Sequence, residues 1–72
     1  LLTFTDAEET MLQRLAIEQA LERLDPRQRL VIRWTYWWGL PQVVQMRRLN
    51  LSQQMMSKIH LVAIARLRGW LN

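Results

Sequence analysis

The sequence predicts an all-α domain of four helices, and three observations carry that prediction. Only two glycines and two prolines interrupt 72 residues, and these are the residues that punctuate a chain most strongly. Clusters of β-branched residues are scarce, which leaves helix as the default local structure. Apolar residues recur at spacings of three and four, the period of one helix face. With half its residues hydrophobic the chain is no disordered tail. It is nonetheless small. About 1.5 kcal/mol of ordering entropy per residue against about 25 cal/mol per Å² of apolar burial predicts marginal stability for a single domain of this size.

Each element has its own signals. Thr5 with Glu8 three residues later reads as a capping box, in which two otherwise unpaired amides are satisfied reciprocally. The helix it opens shows Met11, Leu12, Leu15, Ala16 and Leu21 at helical spacing and stops near Leu24. Asp25-Pro26 restarts the chain: aspartate is a good N-cap, and proline at the first helical position lacks only an amide that would be unpaired anyway. A second helix, 26–38, then carries Leu30, Val31, Trp34 and Trp37 as its core face until Gly39, a left-handed stop. Trp37 and Trp38 are adjacent and cannot share that face, so one of Trp38 or Tyr36 is expected at the surface, where a tryptophan makes a good interface anchor.

A short third helix is expected over residues 41–48, followed by a tight turn at Leu49-Asn50-Leu51. Asparagine is the non-glycine residue best suited to a left-handed position. Ser52 caps the last helix, whose stripe of Met56, Ile59, Ala63, Ile64 and Leu67 runs to about Gly69. Met55 beside Met56 must then point outward.

Charge is divided by position. All six acids lie in the first 25 residues, which carry net charge −4, and the remaining 47 residues carry eight cations and no acid. Such a field draws polyanions, so nucleic acid or an acidic protein surface is the expected partner. Other classes are excluded. The chain has no cysteine for a disulfide or thiolate zinc site. No apolar run approaches the length of a membrane span, and no export signal is visible, so a cytoplasmic location is expected. No paired carboxylates, glycine-rich phosphate loop or metal-ligand spacing suggests an enzyme, a metal or a cofactor. His60, the sole histidine, has no acid after Asp25 in the sequence to orient it. A chain opening on Leu1 rather than Met is expected to be a domain of a longer protein.

A short helix, a three-residue turn and a capped basic helix form the outline of a helix-turn-helix, whose second helix enters the major groove. The surrounding residues are more specific. Leu24-Asp-Pro-Arg-Gln-Arg-Leu-Val-Ile-Arg33 resembles the "LPxRxRxVLxL" opening of region 4 of bacterial sigma factors. Gly39-Leu40 is similar to the "GL" before that family's helix-turn-helix, and Leu51-Ser52 to the "LS" that starts its recognition helix. Ser57-Lys58-Ile59-His60 with Ala63-Ile64-Ala65-Arg66-Leu67-Arg68 resembles the "SQIHxxAxxRLR" run of flagellar-type sigma factors.

The resemblance implies a domain that reads the −35 promoter element in double-stranded DNA while docked on the β-subunit flap of RNA polymerase. It places base contacts on Gln53, Gln54, Met55 and Lys58, with Ser57 on the same helix. Glutamine can pair with adenine and lysine can donate to guanine, whereas Met55 offers only apolar contact, for example to a thymine methyl. Arg47, Arg48 and the Ser52 hydroxyl would lie on phosphates. The chain also departs from that pattern. Pro41 replaces a hydroxyl-bearing cap, and Val43, Val44 and Gln45 stand where two acids and an apolar residue are usual. Either the short helix is rotated, or Val43 or Val44 faces a partner. The alternative expectation is therefore a sigma-like fold used for protein contact through Trp38, Val43 and Val44, toward polymerase, an anti-sigma protein or a sigma-like partner.

Overall fold

In a computed structural model the backbone is described for residues 4–71 and the side chains for residues 10–71. Four helices follow one another: α1 (Phe4–Glu22), α2 (Pro26–Tyr36), α3 (Gln42–Leu49) and α4 (Gln53–Leu71). No strand occurs among the described residues. The all-α class is therefore as the sequence predicts.

The core forms where the helices cross α4. Ala20, Leu21 and Leu24 from the end of α1, Ile32 from α2, and Ala63 and Leu67 from α4 make one buried cluster, with Ile17, Ile64 and Trp70 packed on its edge. Val31, Trp34 and Met56 are buried beside it. The α4 stripe read from the sequence is the one that packs.

The joints are satisfied by polar contacts. Asp25 and Gln28 form a capping box at the start of α2, the Asp25 amide donating to Gln28 Oε1 at 3.3 Å. The same oxygen accepts from Arg66 Nη1 at 3.2 Å, which ties the α1–α2 turn to α4. Arg29 donates to the Leu21 and Leu24 carbonyls, both at 3.2 Å, and so closes the open C-terminal end of α1. Gly39 adopts φ +61° and Asn50 φ 54°, the two left-handed positions that end α2 and α3. Ser52 Oγ accepts the Met55 amide at 3.2 Å, a side-chain N-cap for α4.

Several expectations are corrected. α1 begins at Phe4, so Thr5 lies inside the helix rather than before it; the side chains of its expected capping box are outside the described residues. Met11, Leu12, Leu15 and Ala16 are exposed, and among the described side chains of α1 those from Ile17 onward reach the core. α2 ends at Tyr36, not 38, because the chain must turn before Gly39. Trp37 consequently leaves the core face and is 50% exposed, with Trp38 at 71%, and Tyr36 is exposed as well. Leu30 sits at the margin of the surface. α3 starts at Gln42, with Pro41 as an N-cap that makes no side-chain hydrogen bond. Leu49 is the last residue of α3, and α4 continues past Gly69 to Leu71.

Candidate nucleic-acid interface

The turn Asn50–Ser52 fixes where α4 begins and which side of it faces outward. The amides of Asn50 and Leu51 donate back to Arg47 and Met46 carbonyls, at 3.3 and 3.0 Å. Met56 is then fully buried, which anchors the rotation of the helix. Gln54 and Lys58, two residues to either side of it, must point away from the core.

Gln53, Gln54, Ser57 and Lys58 accordingly line one shallow concavity, continued along α4 by Leu61 and Val62. Gln53, Gln54, Met55 and Lys58 are exposed, and Ser57 is half-buried. The first turn of α4 holds no acid, so the partial positive charge of its N-terminus is uncompensated. Arg47 and Arg48 are exposed at the end of α3, one turn of chain before Ser52.

The cations are not equivalent. Arg48 lies over the Trp34 ring at 5.8 Å, a cation–π contact that holds it against the domain. Arg33 pairs with Glu18 at 2.8 Å and Arg66 bonds Gln28. Arg29 is committed to the α1 carbonyls. Arg27, Arg47, Lys58 and Arg68 make no such contact among the described residues. Of the cations expected at the interface, Arg47 and Lys58 are thus available to a ligand without breaking an internal contact. Ser52 is partly committed: its oxygen accepts the Met55 amide, while its hydroxyl proton remains free to donate.

Gln45 takes the core side and is 1% exposed. Its Nε2 donates to Leu40 O at 2.8 Å and Thr35 Oγ1 at 3.1 Å, while its buried Oε1 has no partner in the structure. The Thr35 hydroxyl in α2 and the Leu40 carbonyl in the α2–α3 turn therefore satisfy the Gln45 amide nitrogen. Val43 is exposed and Val44 half-buried, and Trp38 is exposed at the end of α2.

Two arrangements were not read from the sequence. His60 Nε2 and the Tyr36 hydroxyl lie 3.1 Å apart with their rings stacked at 5.7 Å, so the lone histidine joins α4 to the end of α2. Arg23 covers the Trp70 ring at 4.4 Å. Both link residues distant in sequence, and neither follows a local spacing rule.

Family models, curated proteins and solved structures yield no match to the chain. No helix among the described residues is long and apolar enough to cross a membrane.

Proposed function

We propose that the chain is a DNA-binding domain in which α3 and α4 act as a helix-turn-helix, with the start of α4 in the major groove. The observation that carries this reading is the single outward face of Gln53, Gln54, Ser57 and Lys58, capped by Ser52 and flanked by Arg47. Glutamine amides offer the paired donor and acceptor that match adenine, and Lys58 can reach guanine acceptors. Arg47 supplies phosphate charge, and the Ser52 hydroxyl with the α4 N-terminus supports it. Arg48, held over Trp34, acts at closer range to its own domain. Because the motifs of residues 24–33 and 57–68 resemble sigma-factor region 4, the sequence read would be a promoter −35 element, with RNA polymerase as the protein partner.

Binding of duplex DNA by the wild-type chain, Lys58→Ala and Arg47→Ala over a salt series tests this division of labour. Lys58→Ala should cost about 1–3 kcal/mol on the preferred site and relax sequence preference. Arg47→Ala should weaken binding to every sequence and lower the salt slope by about one. Equal losses on all sequences in both variants would remove base reading from Lys58.

The exposure of Trp38, Val43 and Met55 favours a second reading, in which the same fold docks on protein and reads little DNA. A polar double substitution, Val43→Ser with Trp38→Ser, should then abolish polymerase or anti-sigma binding and leave DNA affinity within twofold.

A further inference from the structure

α1 is amphipathic in two opposite directions. At about 100° per residue, Ile17, Ala20, Leu21 and Leu24 share the face that enters the core. Met11, Leu12 and Leu15 cluster about 180° away from that face, and they are 65%, 64% and 54% exposed. The core-directed side of the same turns is polar, with Thr10, Gln13 and Arg14. No packing within one chain can bury both stripes, so the first half of α1 is built to meet a body on its other side.

A matching vacancy lies at the same end of the molecule. Ile17, Tyr36, Trp37, Ile64 and Leu71 line an apolar groove of about 520 Å³, with Arg68 in its wall. Leu71 also lines a smaller pocket with Gln13, Ala16 and Ile17, which places the Met11–Leu15 turns of α1 near the C-terminal end of α4, beside the mouth of this groove. The charges are complementary too. The first 25 residues carry −4, and Arg68 at the groove has no partner among the described residues.

We propose that two copies of this chain associate by exchanging these parts: the Met11–Leu12–Leu15 stripe of each copy fills the Trp37–Leu71 groove of the other around a two-fold axis. An isologous pair of this kind closes on itself and leaves no stripe or groove unfilled. Direct pairing of one α1 stripe with the other is disfavoured, because Glu18 and Glu22 continue that face and would meet their own copies. The exchange sets acid against Arg68 instead. This inference does not use the DNA reading, and its test involves no DNA.

The chain has no cysteine, so disulfide mapping is unambiguous. In light scattering coupled to size exclusion, the wild-type chain should have the mass of two copies at micromolar concentrations. Leu12→Glu with Leu15→Glu should raise the dissociation constant about a hundredfold or more, with the urea midpoint of the dilute, unassociated chain unchanged because both sites are exposed. Mixed Leu12→Cys and Leu71→Cys chains should oxidise to the Leu12–Leu71 heterodisulfide faster than to either symmetric product, and added salt should weaken the pair. A single-chain mass at all concentrations overturns the proposal, and so does a dominant Leu12–Leu12 disulfide.

Discussion

α1 and α4 are both 19 residues long, yet they hold the molecule together in different ways. α4 keeps one buried stripe from Met56 through Ala63 to Leu67, and its outer face sets Gln54, Lys58 and Arg68 beside an exposed Leu61. Among its described side chains, α1 contributes to the core from Ile17 onward, and Met11, Leu12 and Leu15 before that point outward. The contrast shows that a helix's length and its share of the core are separate quantities. α4 is the spine that the other three helices cross, whereas residues 10–16 of α1 are helical with every side chain exposed. An isolated helical stretch of that length is marginal in water, so a partner surface would also contribute to keeping it folded.

Two leucines on one helix sharpen this comparison most. Leu21→Ala removes a fully buried side chain and should cost about 3 kcal/mol, a large part of the stability of so small a domain. Leu12→Ala, at the exposed end, should change unfolding by less than about 0.5 kcal/mol when measured in dilute, unassociated protein. Urea titrations of the two variants supply both numbers. Equal losses would mean that the two halves of α1 are packed alike, contrary to the description above.

The contrast also explains what could be read in advance. α4 was legible because its caps and its stripe agree: Ser52, Met56, Ala63 and Leu67 all follow local spacing, and Met55 is outward because Met56 is not. The left-handed stops at Gly39 and Asn50 were legible for the same reason, since each follows from backbone sterics alone. α1 misled because Met11, Leu12 and Leu15 form a valid helical stripe, and spacing cannot tell which side the rest of the protein occupies. A wheel that compares residues 11–15 with 17–24 does expose the reversal. Trp37 misled because the turn into Gly39 begins two residues earlier than the apolar pattern suggests. Of the candidate site, Gln53, Gln54 and Lys58 could be grouped from the sequence. The capture of Arg48 by Trp34 could not, because it depends on how α2 and α3 cross.

The ends of α4 offer a smaller test of the same difference. Ser52→Ala deletes the one side-chain cap described for α4 and should cost about 1 kcal/mol, lowering the midpoint of thermal unfolding by about 4–8 °C. Asn50→Ala should cost a similar amount, because the φ of 54° at that residue strains a Cβ-bearing side chain with no local hydrogen bond to offer. Asn50→Gly should be close to neutral. If Asn50→Gly destabilised as much as Asn50→Ala, the asparagine side chain rather than the backbone angle would be the important feature of the turn.

A salt-dependent effect is expected at the junction between the two halves of α1. Glu18 is the first residue after Ile17, and its carboxylate holds Arg33 of α2 at 2.8 Å. Arg33 also leans over the Trp37 ring at 5.7 Å, so one guanidinium joins α1 to the exposed end of α2. Both side chains are well exposed, at 35% and 48%, and solvent screening limits such a pair to about 0.2–1 kcal/mol. Glu18→Gln should therefore lower stability by no more than that, and the difference from wild type should fade as ionic strength rises and the Debye length shrinks. A loss that exceeded 1 kcal/mol, or one unchanged by salt, would show that Glu18 acts by packing rather than by charge.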